Sequence, residues 1–305
     1  MQVLDLLRSG DLRPSRALGQ NFVADANTVR RIARLSGVGP DDRVVEIGAG
    51  LGSLTLALAE TGAAVTAVEV DRHLLPVLRE LCEPAGVRVV AEDATRLDWG
   101  VLLGPGGPGG PGGPERPWTL VANLPYNVAV PIVIRALEEA PAVGSLLVMV
   151  QREVGERLVA TAGDPAFGAV SVKIRYWGRP SLVGRVPASV FVPRPKVESV
   201  LVRIELHRDG ADAAARTGMS PWPLDPAAYQ RVFAVVRAGF AQRRKMLRRS
   251  LDGVVPPEAF TATGVPPTAR AEELDLHRWV ALARWAPGDP PAVPEPAVAP
   301  GERGW

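Results

Sequence analysis

"VVEIGAGLGSLTLAL", residues 44–58, reads as strand, glycine turn and helix in immediate succession. Val44, Val45 and Ile47 are β-branched; Gly48, Gly50 and Gly52 follow; Leu54, Leu56 and Leu58 carry the chain onward. Glycine accepts positive φ and lets backbone approach a ligand closely, and a helix behind the turn offers unpaired N–H groups. The same alternation surrounds this stretch. "RVVEI" (43–47), "AAVTAVEV" (63–70), "VRVVAED" (87–93), "TLVANL" (119–124) and "SLLVMVQ" (145–151) are short strand-like runs, with helix-length segments at 51–61, 72–83 and 131–140. Nearly continuous apolar strands separated by helices predict an α/β fold with a mostly parallel sheet covered on both faces. Such sheets bind ligands beyond the carboxyl ends of their strands, where the strand order reverses.

The glycine turn is not that of a dinucleotide site. The pattern G-x-G-x-x-G would place its third glycine at position 53, which is serine. Glu46 precedes the turn, and a carboxylate there suits a cationic ligand end and opposes a pyrophosphate. Glu69 closes the second strand, 19 residues beyond Gly50, where an acid is placed to bind ribose hydroxyls. Asp93 ends the third strand in "AEDATRL"; it could accept from an adenine amino group, and Asp-Ala-Thr is equally good capping sequence. Together these acids describe a pocket for an adenosine with a positively charged tail, a description that S-adenosylmethionine fits better than NAD. The fourth strand ends in Asn123-Leu124-Pro125-Tyr126. An amide, a rigid proline and an aromatic ring stand where a methyl acceptor would have to lie.

Bulk properties bound the remaining classes. The chain has 305 residues, 47% of them apolar and 22% charged. No apolar run approaches the roughly 18 residues of a membrane span. The start, MQVLDLLRSGDLRPSR, lacks a signal-peptide pattern, so a cytoplasmic protein is expected. The single cysteine, Cys82, and the scattered His73, His207 and His277 give no metal-ligand spacing, so no metal is expected. Charge is localised. Arg231, Arg237, Arg243, Arg244, Lys245, Arg248 and Arg249 fall between Pro226 and Leu251 without an acid; elsewhere 28 basic residues are outnumbered by 33 acids. A basic patch on a mildly acidic body points to a polyanionic partner.

Two segments are too rich in Pro and Gly for helix or strand. GPGGPGGPGGPERP (104–117) is expected to be a surface insertion that loops away from the site, and 286–305 a disordered tail. Residues 188–206 read as a further strand pair. "LDPAAYQRVFAVVRAGFAQRRKMLRRSL" (224–251) has helical spacing, with a break expected at Gly239. The domain reading is therefore 1–207 for the α/β domain and 208–285 for a small helical one that carries the basic patch.

Read in order, LGQNF (18–22), EIGAGLGSLT (46–55), AVEVD (67–71), EDA (92–94), NLPYN (123–127), QREVGERL (151–158), VFVPRPKVES (190–199) and FAQRRKMLRRSL (240–251) resemble the ribosomal RNA adenine dimethyltransferases. The branch they resemble modifies two adjacent adenosines near the 3′ end of small-subunit rRNA. The resemblance runs from about residue 13 to 285 and implies a Rossmann-like class I methyltransferase domain using S-adenosylmethionine. It implies that Gln20 and Asn21 close over this cofactor, with Glu46, Gly48 and Gly50 around its methionine part and Val23 and Asn123 also in contact with it. Glu69 would hold the ribose, and Asp93 with the Ala94 backbone the adenine. Asn123, Leu124, Pro125 and Tyr126 would hold the target base, with Phe191 packing near it from the other side. Arg237, Arg243, Arg244, Lys245, Arg248 and Arg249 would hold the RNA backbone. The implied partner is small-subunit rRNA within an immature 30S particle, bound by a monomer with no role for DNA or a membrane.

The target set has independent chemical sense. An adenine exocyclic amine is a poor nucleophile because its lone pair is delocalised into the ring. If the Asn123 oxygen and the Leu124 carbonyl accept its two N–H bonds, the nitrogen is pushed toward tetrahedral geometry and the lone pair is freed. Pro125, with locked φ, fixes the carbonyl's direction. Tyr126 can stack on the base for about 1–3 kcal/mol. No general base is needed, because the proton becomes acidic once the nitrogen is methylated.

Two positions depart from the family pattern: Ala49 where proline is common, and Phe167-Gly168 where tyrosine-glycine is common. The nearest rival is the sister branch that dimethylates large-subunit rRNA and confers macrolide resistance. Leu124 and residues 240–251 favour the small-subunit branch. A non-catalytic ribosome-assembly factor is the second rival, and a dehydrogenase the third.

Overall fold

A computed structural model of the chain describes residues 14–15, 18–104, 116–207 and 223–286. Most of the 104–117 insertion, the tail beyond Ala286 and the 208–222 segment lie outside the described residues. The described residues fall into two compact units, within the bounds Met1–Ala160 with Lys173–Arg208 and Thr161–Val172 with Asp209–Trp305.

The first unit is built on a seven-stranded sheet. Its strands are β2 (Arg43–Ile47), β3 (Ala64–Glu69), β4 (Arg88–Ala91), β5 (Trp118–Asn123), β6 (Val143–Gln151), β7 (Gly178–Val186) and β9 (Ser199–Leu206), in the order β4-β3-β2-β5-β6-β9-β7. β4, β3, β2, β5 and β6 are mutually parallel; β9 pairs antiparallel with both β6 and β7. Strand order reverses between β2 and β5. There Ile47 pairs with Ala122, so Gly48 and Asn123 leave the sheet side by side. The strand interiors are dry: Val44, Val45, Leu120 and Val121 are fully buried. Each such side chain stabilises the fold by about 1.5–3 kcal/mol.

A two-residue ladder, β1 (Phe22–Val23) with β8 (Phe191–Val192), ties the LGQNF segment to the VFVPRPKVES loop. Helix α1 (Ala26–Ser36) follows at once. Asp25 caps it, its Oδ1 accepting from Thr28 N–H and Thr28 Oγ1 at 2.6 Å, and Gly37 ends it in the left-handed region at φ 74°. Its apolar stripe of Val29, Ile32 and Ala33 is buried. Helices α2 (Ser53–Ala59), α3 (Leu75–Cys82), α4 (Trp99–Leu103), α5 (Ala129–Glu139) and α6 (Arg152–Val159) complete the strand–helix alternation in this unit.

The predicted strands through residue 151 stand within two or three residues of their expected ends. The strand pair expected at 188–206 is instead β7 with β9. β7 starts at Gly178 and contains Pro180 and Gly184, which mask a strand in a sequence reading. α7 (Ala169–Trp177) has no counterpart among the expected elements.

The second unit holds α8 (Pro226–Ala241), α9 (Leu247–Ser250), α10 (Pro257–Ala262) and α11 (Leu276–Arg284). The break expected at Gly239 is absent: α8 runs through it to Ala241, and the turn follows at 242–246. Gly239 is required for packing. A Cβ there would lie 2.4 Å from Cη2 of Trp279, whose ring is fully buried. Segment 161–172, read from the sequence as part of the first domain, packs within this unit. Phe167 meets Phe240 edge-on at 6.1 Å, and Gly163 N–H donates to Glu272 O at 2.8 Å.

Candidate functional site

The strand reversal opens into a cavity of about 260 Å³, walled by the ends of β2, β3, β4 and β5 and by residues 18–22. Asn123 is the last residue of β5. Its Nδ2 donates to the Asn21 carbonyl at 3.0 Å. Only the amide nitrogen can donate to a carbonyl, so the bond fixes which end of the side chain faces away, and Oδ1 remains as an acceptor. Leu124 N–H donates to Met149 O on β6 at 3.2 Å, and the Leu124 side chain is buried. The Leu124 carbonyl accepts no hydrogen bond from the described residues; the turn bond beyond it runs from Val128 N–H to Pro125 O. Two acceptors are thus presented on adjacent residues. The Tyr126 hydroxyl is held by Ser199 Oγ at 3.1 Å, and burial raises its pKa. Asn123 through Val128 all line the cavity.

Residues 18–22 lie directly over that tetrapeptide. Gly19 has φ 63°, and a Cβ there would be 3.1 Å from Asn127 Oδ1. Gln20 is stretched between two anchors: its Oε1 accepts from Ser15 N–H at 2.7 Å, and its Nε2 donates to Asp71 Oδ2 at 2.7 Å. Asn21 Nδ2 donates to Gly19 O at 3.1 Å.

On the opposite wall, Glu69 is buried with both oxygens engaged. Oε2 accepts from Gly50 N–H at 2.7 Å, and Oε1 from Val70 and Asp71 N–H, each at 2.9 Å. Burial raises its pKa, and the three backbone donors oppose that shift. A carboxylate has about four acceptor positions, so one on Oε2 remains open. Asp93 makes the capping-type bonds its sequence allowed and also lines the cavity. Oδ1 accepts from Thr95 N–H at 2.8 Å and Thr95 Oγ1 at 2.7 Å, leaving Oδ2 for a further donor at the cavity wall. The Thr95 hydroxyl, more than any other group, holds its pKa below the usual carboxylate range.

Of the residues expected around the donor, Gln20, Asn21, Gly48, Gly50, Glu69, Asp93, Ala94 and Asn123 line this cavity; Val23 and Glu46 do not. Val23 is spent on the β1–β8 ladder and the core. Glu46 is 1% exposed beneath the glycine turn, beside a separate void of about 30 Å³. Burial pushes its pKa up to about 8, and Glu69 adds to the shift. Thr55 opposes it, although Glu46 Oε2 and Thr55 Oγ1 each lack a partner within hydrogen-bond geometry. Glu46 therefore stands beneath the glycine turn rather than on the cavity wall, in surroundings that favour its protonated form.

Phe191 is also not brought to the cavity. It is 2% exposed, paired opposite Val23 and packed in the main core. Phe22, unassigned from sequence, lines it together with Tyr126: a Cβ on Gly50 would meet the Phe22 ring at 3.0 Å. Its place at the end of LGQNF was the available signal.

In the helical unit, Arg237, Arg243, Arg244, Lys245, Arg248 and Arg249 are all exposed. Arg243 is partly committed, its Nη2 donating to Pro165 O at 2.5 Å and its Nε standing 3.7 Å from Glu272 Oε2. The other five make no recorded ion pair among the described residues. No described helix is long and apolar enough to cross a membrane. No group of three or more His, Cys, Asp or Glu among the described residues could hold a metal ion.

Comparison with known proteins agrees with this geometry. A family model described as ribosomal RNA adenine dimethylase matches residues 13–287. Proteins named ribosomal RNA small subunit methyltransferase A are similar in Rhodococcus opacus (strain B4), 43% identical over 297 residues, and in Nocardia farcinica (strain IFM 10152), 45% over 286. The first alignment covers 94% of this chain and 93% of the relative; the second covers 90% of each. Among solved structures, the 23S rRNA methyltransferase ErmE is 25% identical with a TM-score of 0.63, covering 86% of this chain and 98% of ErmE. A Plasmodium falciparum dimethyladenosine transferase shares the fold at 19% identity, with a TM-score of 0.66 and coverage of 85% and 94%.

Proposed function

The chain belongs to the ribosomal RNA adenine dimethylase family, and from that premise we propose that it dimethylates the exocyclic amines of two adjacent adenosines near the 3′ end of small-subunit rRNA. It is an S-adenosylmethionine-dependent enzyme of small-subunit biogenesis. The branch follows from similarity: 43% and 45% identity to proteins named for the small subunit, against 25% to ErmE, named for 23S rRNA.

The residues present fit the donor. Glu69 Oε2 keeps an acceptor position for a ribose hydroxyl, and Asp93 Oδ2 faces the cavity for an adenine amine. Gly48 and Gly50, at φ 76° and 59°, keep the turn open to close approach. When bound, the donor supplies an electrophilic methyl group on a sulfonium.

The observation that carries the reading is the bond from Asn123 Nδ2 to Asn21 O. It aims the amide oxygen, next to the unused Leu124 carbonyl, at the place where a target amine would sit. Two accepted hydrogen bonds localise the nitrogen lone pair, and Tyr126, fixed by Ser199, offers its ring face to the base. Such positioning can supply about 7–11 kcal/mol of a barrier. The target must leave its stack to reach the cavity, which favours a loop or single-stranded junction. The unpaired cations of the helical unit hold the surrounding RNA backbone, within an immature 30S particle and as a monomer, with no DNA target; phosphate contacts position RNA without reading its sequence.

The test is methyl transfer from labelled S-adenosylmethionine to small subunits lacking the modification, with large-subunit RNA in parallel and the product nucleoside identified. Dimethyladenosine at two adjacent small-subunit positions is the expected product. Label confined to large-subunit RNA would move the protein to the sister branch, and tight subunit binding without label would make it an assembly factor only.

A further inference from the structure

We propose that Arg135 is a positioning residue that makes the cavity selective for an adenine ring, acting through Asp93; the inference rests on the reading that the cavity takes an adenosyl donor. Arg135 stands in the second half of α5, the helix that follows the Asn123–Asn127 turn. Glu139, four residues on, holds its guanidinium from one side: Nε donates to Oε1 at 3.0 Å and Nη2 to Oε2 at 2.5 Å. The remaining fork reaches the loop after β4, where Nη1 donates to Ala94 O at 3.1 Å and Nη2 to Leu97 O at 2.8 Å.

The Ala94 carbonyl and the Thr95 N–H belong to one planar peptide unit and point in opposite directions. Arg135 holds the carbonyl end, and the N–H end donates to Asp93 Oδ1 at 2.8 Å. Guanidinium and carboxylate therefore grip the same plane from two sides. Arg96 N–H to Asp93 O, at 2.8 Å, closes the turn. Residues 93–97 lie between the last sheet bond, Glu92 N–H to Glu69 O, and the helix capped by Asp98, and neither ladder holds them; the direction of Asp93 Oδ2 depends on this plane. The fork also joins the loop that would read the donor's ring to the helix behind the target-base residues, whose Ile132 lines the same cavity. Lysine cannot reproduce the arrangement, because a single ammonium cannot span two carbonyls and a carboxylate with planar geometry.

The test is a calorimetric titration of the full chain with S-adenosylhomocysteine and with its inosine counterpart, in which the ring amine is replaced by a carbonyl. Arg135→Met is expected to weaken S-adenosylhomocysteine binding about tenfold and to leave the inosine compound within about twofold, so that discrimination collapses. Arg135→Lys should behave the same way. Equal weakening of both ligands would reduce Arg135 to a fold-stabilising role, and unchanged binding of both would overturn the inference outright. Glu139→Gln, at an exposed position, gives a second readout if Arg135→Met does not fold: a smaller loss confined to the adenosine compound supports the inference, and an unchanged ratio of affinities overturns it. Wild-type protein that binds neither compound would instead remove the donor reading, and this inference with it.

Discussion

The cavity rim and the basic segment of the helical unit treat their polar groups in opposite ways. At the rim almost every polar group is already bonded: Asn123 to Asn21, Gln20 to Asp71 and Ser15, Tyr126 to Ser199, and Glu69 to three backbone N–H groups. What remains is a few acceptors aimed in fixed directions. On the helical unit the side chains of Arg237, Arg244, Lys245, Arg248 and Arg249 are exposed and form no ion pair among the described residues. Directed chemistry needs acceptors held to a fraction of an ångström, so the rim spends its donors on itself. Phosphate attraction is long-ranged and non-directional, so the basic segment keeps its charges free.

The largest effect that would sharpen this contrast is on stability. Burial raises the Glu46 pKa from 4.5 to about 8. Over that window the folded state binds the proton more tightly than the unfolded chain, so stability falls as pH rises from about 4.5 to 8. Glu46→Gln removes the dependence and should stabilise the protein at pH 8 by an amount on the order of 4 kcal/mol. Thermal melts of both proteins from pH 5.5 to 8.5 check it; parallel curves would mean that Glu46 is charged in the folded protein, beneath the glycine turn.

Next is Tyr126. Tyr126→Ala should cost about 1–3 kcal/mol in kcat/KM for RNA through lost stacking. Tyr126→Phe, which loses only the Ser199 bond, should cost about 0.5–1.5 kcal/mol. Steady-state kinetics separate the two, and equal losses would show that the hydroxyl rather than the ring does the work. Smallest, and on the other side of the contrast, Arg244→Ala and Lys245→Ala should each lower the slope of RNA affinity against log salt by about one and leave kcat at saturation unchanged. An unchanged slope would make that segment a solvated face.

How far these two regions were legible in the sequence follows from the range of the interactions involved. Gly48 and Asn123 could be placed because the turn that ends a parallel strand is a local event, and the sheet brings such ends together. The positive stretch at 243–249 needs no folding to be seen. Phe191 could not be placed. Its burial is set by a ladder to Val23, far away in the chain, which turns its ring into the core and leaves Phe22 at the cavity. The burial of Glu46 beneath the glycine turn was likewise not legible, because it depends on what packs around the strand end and not on local sequence. Gly239 looks like a break unless the ring of Trp279 is known to lie on it, and the segment around Phe167 joins the helical unit through contacts with Phe240.

The account's central claim is that Asn123 acts on the target amine, and that the donor is held by other residues. Its most direct test is Asn123→Ala, measuring S-adenosylhomocysteine affinity by calorimetry and single-turnover methyl transfer to unmodified small subunits in the same preparation. Affinity within about threefold of wild type, with transfer slowed about 100-fold or more, is the predicted result. A parallel collapse of both would place Asn123 in the donor site, and transfer at the wild-type rate would show that the amine is activated by some other group.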